Sequence, residues 1–474
     1  MKLYRTTPFV ALAAIGLVCI PAVAQEAPAL TEKQARNVER LIEKGLEDDL
    51  AWEVLESLTT EIGPRLPASP AEARARDWGV AKLKKLGFKN VRIETFEMPY
   101  WERISESAEI ISPFPQPLTV TALGNSIGTP EGGVTAEVVR FATLPALAAA
   151  PLEGFEGKII FVDERMTRTQ DGSGYGVAVA KRSGAAKEAG KRAAAAALIR
   201  SVGTDSHRNP HTGGMNYADG VTQAPIAALS NPDADQLARA LRLANGPVTV
   251  KLDLSVVMKD AEISGNVIGE IPGKTDELIV IGGHLDSWDL GTGAIDDGAG
   301  IAITTAAAKL VDNLRGKPKR TIRVVMWGAE EVGLFGGKAY AAQHADELDR
   351  HVLAAESDFG AGEIYRFDSR FGEDAVAKAA PMAAALRGLG VAPGVTNRGG
   401  GPDVGPIRDL GVPVVSLRQN GWDYFDLHHT PDDTLDKVDP AALRQNVAAW
   451  AAFLYMASEM DGDFGRLPPK EAAE

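Results

Sequence analysis

The sequence predicts an α/β protein: a mostly parallel mixed sheet sandwiched by helices, carrying an inserted α+β domain. Three observations predict it. From about residue 260, apolar runs alternate with helical patterns, in the order "ELIVIGG", "GIAITTAAAKLVDNL", "TIRVVMW", "GGKAYAAQHA", "VLAAESD" and "VPVVSL". Alternation of this kind gives parallel strands covered on both faces. Between residues 131 and 258 the pattern changes to "GGVTAEVVRF", "EGKIIFVDE", "AAAAALIRSVG" and "APIAAL", short strands with one alanine-rich helix, separated by Gly and Pro. Finally, 474 residues is long for one hydrophobic core, which favours two domains or one domain with an insertion.

Residues 1–24 carry Lys2 and Arg5, an apolar run and then Ala22-Val23-Ala24, and read as a signal peptide cut before Gln25. The run from Pro8 to Ile20 is shorter than the ~20 apolar residues that span a bilayer. The chain is therefore expected to have no membrane partner after cleavage and to be periplasmic or secreted. Its one cysteine, Cys19, lies in this segment. Any metal site in the mature chain must then use nitrogen and oxygen ligands.

Residues 31–60 read as two helices, with "ARNVERLIEKGL" apolar at helical spacing. "SPAEARARDWGVAKLKKLGF" places Ser69 as N-cap, Pro70 at the first helical position, Glu72 in a capping box and Gly87 at the stop. The strand "NVRIETFEMP" follows. The expected division is 25–130 for the first part of the main domain, 131–258 for the insert and 259–465 for the rest of the main domain. Residues 466–474, "RLPPKEAAE", are expected to form a flexible tail. His207 and His211, in "DSHRNPHTGG", read as loop residues and not as ligands. A formal charge of -14 argues against a nucleic-acid partner.

In parallel sheets, ligands gather at the carboxyl ends of strands. Here "ELIVIGG" runs into "HLDSWD", "TIRVVMW" into "GAEEVG", and "VLAAE" into "SDFG". "GTGAIDDGAG" adds two aspartates in a glycine-rich turn, and "DLHHTPDDT" adds histidines in a late loop. Singly, each is ordinary: an Asp-Asp pair serves as a turn and N-cap, a His-His pair as exposed loop. Their convergence on one sheet edge is what points to metal. Two histidines and three carboxylates without thiolate suit zinc, cobalt or manganese. Two such ions about 4 Å apart can clamp both the attacking oxygen and the carbonyl oxygen of a scissile bond.

Together "GGHLDSWDLGTGAIDDGAG", "WGAEEVG", "ESDFG" and "HHTPDDT" resemble the co-catalytic dizinc aminopeptidases of the bacterial leucyl aminopeptidase and aminopeptidase Y type. Within them the chain is most similar to the plasma glutamate carboxypeptidase group, which hydrolyses unblocked dipeptides and carries a protease-associated insert. "ALGNSIGTPEGG", "LIRSVG", "SHRNPHTGG" and "YADGV" extend the resemblance through the insert. It implies the zinc-exopeptidase fold, a protease-associated-like insert, two zinc ions per subunit with cobalt or manganese as substitutes, and a homodimer. By position, His284 would bind one zinc, Asp296 would bridge both, and Glu331, Asp358 and His429 would complete the set. Glu330 would be the general base acting on a metal-bridged hydroxide, and Asp286 would fix the His284 imidazole. The family's Asp296–Asp297 peptide is often cis. His429 is chosen because the family's ligand histidine opens the pattern found in "HTPDDT", which leaves His428 as a neighbour. Asp289 reads as a turn residue and Asp403 as part of a loop bordering the pocket, where Pro402 departs from the family's usual Thr or Ser.

The resemblance implies an exopeptidase for short peptides, either unblocked dipeptides or amino-terminal residues. Arg398 and Arg418 lie near the right loops to receive a substrate carboxylate, although arginines on α/β loops are more often simple surface charges. The alternatives are a single-zinc glutaminyl-cyclase-like acyltransferase and a non-catalytic binding relative. The complete ligand set, with Glu330, favours the peptidase.

Overall fold

The computed structural model describes residues 30–470, so the expected signal peptide and Cys19 lie outside the described residues. At its centre four strands run parallel, side by side in the order Val414–Gln419, His351–Glu356, Leu278–His284, Thr321–Trp327. Antiparallel strands flank them, Ile364–Arg370 beside the first and Thr249–Ile271 beside the last. The central strands are apolar throughout because both faces are covered. Ile279 and Ile281 pack with the helices Ala299–Asp312 and Pro440–Glu459, while Val280 packs with Tyr340 and Ile407 on the other side. The helix Glu32–Leu46 lies against Pro440–Glu459, and Leu50–Glu61 against Ala299–Asp312.

A long antiparallel ribbon, Lys89–Ser112 with Thr249–Ile271, leads out of this sheet. Its far end carries a second run of strands, with Val134–Phe141, Ile159–Val162, Ala196–Arg200 and Ile226–Leu229 mutually parallel and Val120–Ala122 antiparallel at the edge. The chain thus enters the second sheet region by residue 120, upstream of the expected boundary at 131. The alanine-rich stretch also divides differently from the expected single helix. Lys181–Lys191 is helical, whereas Ala196–Arg200 is a strand buried along its whole length. A further helix, Asn231–Leu243, starts at a Ser230 N-cap that accepts from Asp233 N.

Ser69 does cap the helix Pro70–Lys85, accepting from Glu72 N at 3.2 Å. The Glu72 carboxylate does not complete a capping box. It is buried and turns instead to Ser264 and Arg76. Nor is residue 466 the start of a free tail: Leu467 N donates to Gly411 O and Lys470 N to Asp409 O. Among the described residues no helix is long and apolar enough to cross a membrane.

Candidate metal centre

Because the four central strands are parallel, their carboxyl ends share one edge. His284 ends one strand opposite Trp327 of the next, and the turn after Trp327 carries Glu330 and Glu331. Asp358 follows the strand His351–Glu356. Asp296 precedes the buried helix Ala299–Asp312, and its peptide bond to Asp297 is cis. Two glycines allow the close approach of these parts. A Cβ on Gly283 would lie 2.3 Å from the Asp297 carboxylate, and one on Gly300 would lie 2.4 Å from it. With both absent, Asp297 accepts from His284 N and Gly300 N and ties the strand end to the helix start.

The side chains converge in two groups that share Asp296. His284 Nε2 lies 3.0 Å from Asp296 Oδ1 and 3.6 Å from Asp358 Oδ1. His429 Nε2 lies 3.2 Å from Asp296 Oδ2 and 2.9 Å from Glu331 Oε2. In both rings Nδ1 faces a backbone carbonyl, Asp286 O at 2.9 Å for His284 and Thr212 O at 3.2 Å for His429. A carbonyl can only accept, so Nδ1 donates to it in both rings, which leaves Nε2 as the ring atom that faces the carboxylates. His428 stacks on His429 with ring centroids 3.4 Å apart, and its Nε2 is 3.5 Å from Asp296. Its Nδ1, however, has no partner, so nothing fixes its tautomer as in the other two rings.

Asp286 departs from its expected role. Its carboxylate is 3.8 Å from His284 Nδ1 and accepts instead from Glu330 N at 3.1 Å and Glu331 N at 3.2 Å. The imidazole is fixed through the backbone carbonyl of Asp286, and the carboxylate holds the turn of the two glutamates.

Residues 266–454 match the profile of peptidase family M28. Carboxypeptidase Q of Mus musculus is 34% identical over 432 residues, covering 91% of this chain and 90% of that protein. The chain belongs to peptidase family M28. The crystal structure of a peptidase M28 precursor from Shewanella amazonensis SB2B is 49% identical with a TM-score of 0.89, over 92% of this chain and 99% of that one. BSAP, a zinc aminopeptidase from Bacillus subtilis, shares the fold at 20% identity and a TM-score of 0.65, over 87% of this chain and 95% of that one. M28 is a family of metallo-exopeptidases, and the chemistry of the site suits a metal.

Burial raises the carboxyl groups of Asp286, Asp297, Glu330, Glu331, Glu356 and Asp403 above their usual range. Burial works against the charge of Asp296 too, but hydrogen bonds from His284 and His429 outweigh it and hold that carboxyl well below the usual range. Burial likewise opposes the charge of the His429 ring, yet Glu331 and Asp296 raise it to about 9. So much buried acid in one place calls for cations, and a buried Glu331 oxygen, Oε1, has no partner. The oxygen and nitrogen donors, borderline-hard and free of thiolate, suit divalent ions.

An M28 site needs more than its ligands, and the sequence reading missed several of the residues that support them. Asp433 accepts from Ile295 N and Asp296 N and so fixes the backbone of Asp296; it was visible only as a letter in "HTPDDT". Trp288 Nε1 donates to Glu331 Oε2 at 2.7 Å. Arg65, fully buried, donates to the carbonyls of Gly63, Leu285, Thr292 and Gly293 and pins the loop between His284 and Asp296. His211 is a loop residue as expected, but not an idle one. It is completely buried, with Nε2 2.7 Å from Asp205 and Nδ1 2.7 Å from the carbonyl of His428.

A cavity of about 430 Å³ opens onto the cluster. Asp296, Glu330, Glu331, Asp358 and His429 line one side, and Tyr175, Arg182 and Met215 from the second sheet region line the other. Pro402, not Asp403, reaches the cavity; Asp403 is buried beside Glu356, whose Oε2 accepts from Asp403 N. Arg418 pairs with Asp368 and Arg398 is exposed, and neither lines the cavity. Asp289, read as a turn residue, pairs with Arg103 at 3.2 Å.

Proposed function

We propose that this chain is a zinc-dependent exopeptidase that hydrolyses short peptides with a free terminus, unblocked dipeptides first among them. The observation that carries the reading is the convergence of His284, Asp296, Asp358, Glu331 and His429 on one buried edge, with Glu330 beside them on the cavity wall. His284, Asp296 and Asp358 would hold one ion; Asp296, Glu331 and His429 would hold the second. Bound divalent ions of this kind acidify water and polarise a carbonyl.

The chain's own residues do the rest. Glu330 accepts the proton of the attacking water and returns it to the leaving amine. Burial raises its carboxyl well above the usual carboxylate range, the direction that favours holding a proton once it is taken. Asp286 holds the backbone under Glu330, and Asp433 the backbone under Asp296. The cavity, at the small end of the roughly 300–1,000 Å³ typical of ligand sites, favours short substrates. The reading extends to a homodimer that acts in the periplasm or outside the cell, which sedimentation and fractionation would test.

The enzymatic test uses the metal-stripped chain, the chain reloaded with zinc, and Glu330→Gln. Zinc should restore hydrolysis of free dipeptides, and Glu330→Gln should keep its zinc while losing roughly 10²–10⁴-fold in kcat. Near-normal turnover by Glu330→Gln would remove the proposed mechanism.

A further inference from the structure

The cavity is electrically lopsided. Its metal side carries Asp296, Glu330, Glu331 and Asp358, while the opposite wall presents one guanidinium, that of Arg182 on the helix Lys181–Lys191. The Arg182 side chain is buried, 3% exposed. A buried charge normally has a counter-charge. Other buried arginines of this chain obey that rule: Arg192 pairs with Glu188, Arg200 with Asp163, Arg320 with Glu277, and Arg323 with Glu270. Arg65 is the exception, with its donors on four backbone carbonyls.

Arg182 fits neither pattern. Among the described residues no carboxylate lies within 4.0 Å of it. Nη2 donates to Thr212 O at 2.8 Å and passes 3.4 Å from His429 Nδ1, and Nη1 donates to Tyr175 OH at 3.1 Å. Nε has no partner. A guanidinium has five N–H groups, so with two donated Nε–H, one N–H of Nη1 and one N–H of Nη2 are unspent. Gly213 makes room for this placement, since a Cβ there would lie 2.1 Å from the guanidinium carbon.

We propose that Arg182 determines specificity by receiving the free α-carboxylate of the residue on the leaving side of the scissile bond. The inference rests on the exopeptidase reading and deepens it. An arginine with N–H groups to spare, facing a site of acids and metal donors, matches the layout of a zwitterionic dipeptide: ammonium toward the acids, carboxylate toward Arg182. A longer peptide cannot place its carboxylate there while its first bond lies at Glu330, so the same contact selects for length.

The test compares a dipeptide with its C-terminal amide on the zinc-loaded full chain. Wild type should prefer the free acid by about tenfold or more in kcat/KM, and Arg182→Met should bring that ratio to within about threefold of one. Zinc content and circular dichroism establish that the variant is folded and loaded. If Arg182 only anchors the His429 loop, acid and amide fall together and the ratio stands, which overturns the proposal. Equal hydrolysis of both by wild type overturns it while leaving the exopeptidase intact; hydrolysis of neither overturns both. If Arg182→Met does not fold, Arg182→Lys keeps the charge but loses the planar fork. A KM rise of about threefold or more for the acid, unmatched for the amide, then supports the proposal, and equal rises overturn it.

Discussion

Asp286→Asn separates two roles that a buried carboxylate beside a metal histidine could have. In one, it acts electrostatically on His284. In the other, it holds the turn that carries Glu330 and Glu331. The distances favour the second, because Asp286 accepts from both glutamate N–H groups at 3.1 and 3.2 Å and stands 3.8 Å from His284 Nδ1. Asparagine keeps the backbone carbonyl that orients His284 and keeps one side-chain acceptor. It replaces the other with an NH₂ facing an N–H. One buried N–H is left unpaired, at about 1–3 kcal/mol, which corresponds to roughly fivefold to 150-fold in rate if it is spent on the position of Glu330. The expected outcome is a fall of that size in kcat at saturating dipeptide, with zinc per chain unchanged after dialysis. If zinc affinity instead falls by about 10–100-fold while kcat of the fully loaded protein stays put, Asp286 works through the imidazole and the reasoning fails.

Two more outcomes follow from buried histidines. His211→Ala removes bonds to Asp205 and to the carbonyl of His428 and leaves a hole, a loss of about 2–4 kcal/mol in a denaturant titration. On the proposed two-ion reading it should weaken the ion that Glu331 and His429 would hold more than the one that His284 and Asp358 would hold, so zinc per chain under competing chelator should fall from two toward one. His351 is buried with Nδ1 on Glu347 O and Nε2 on Tyr340 OH, and burial lowers its pKa to about 4 from 6.5. As pH falls below 6.5 the unfolded chain takes up a proton that the folded chain refuses, so stability is lost between pH 6.5 and 4. At about 1.4 kcal/mol per pH unit the loss is roughly 3 kcal/mol. Urea midpoints at pH 7.5 and 4.5 should therefore fall further for wild type than for His351→Gln.

The parts of this molecule that could be read from sequence are those whose reasons are local. Leu278–His284 and Thr321–Trp327 are strands because a short, wholly apolar run between turn residues has few other uses, and a parallel sheet then puts the next polar residues at one edge. The ribbon strand was expected to end at Pro99 but continues to Ser112. Proline is tolerated there because the register against Thr249–Ile271 slips between Met98 and Tyr100, and a bulge needs no donor at that point. Glu72 stood at the right spacing for a capping box, and a buried Arg76 and Ser264 outbid the local partner. The roles of Arg65, Arg182 and His211 could not be read, since a deciding partner of each, Gly293, Thr212 and His428, lies 228, 30 and 217 residues away.

That last group shares a cause, and it bears on how the site is assembled. Of the two histidines proposed as ligands, His284 belongs to a central strand and is placed by the sheet itself. His429 sits in a loop with left-handed backbone, φ 62°, and depends on what surrounds it. What surrounds it is the second sheet region: Thr204 N donates to Phe425 O, His211 bonds His428 O, Thr212 N donates to His429 O, and Asn209 bonds Asp432. Arg168 adds an ion pair to Asp426 at 2.6 Å. The segment between residues 204 and 214 therefore does for His429 what a β-strand does for His284. Two adjacent carboxylates after Trp327 can be tolerated in a half-buried turn because one structural unit supplies a histidine and the other holds the second histidine in place, and both point Nε2 at the same aspartate.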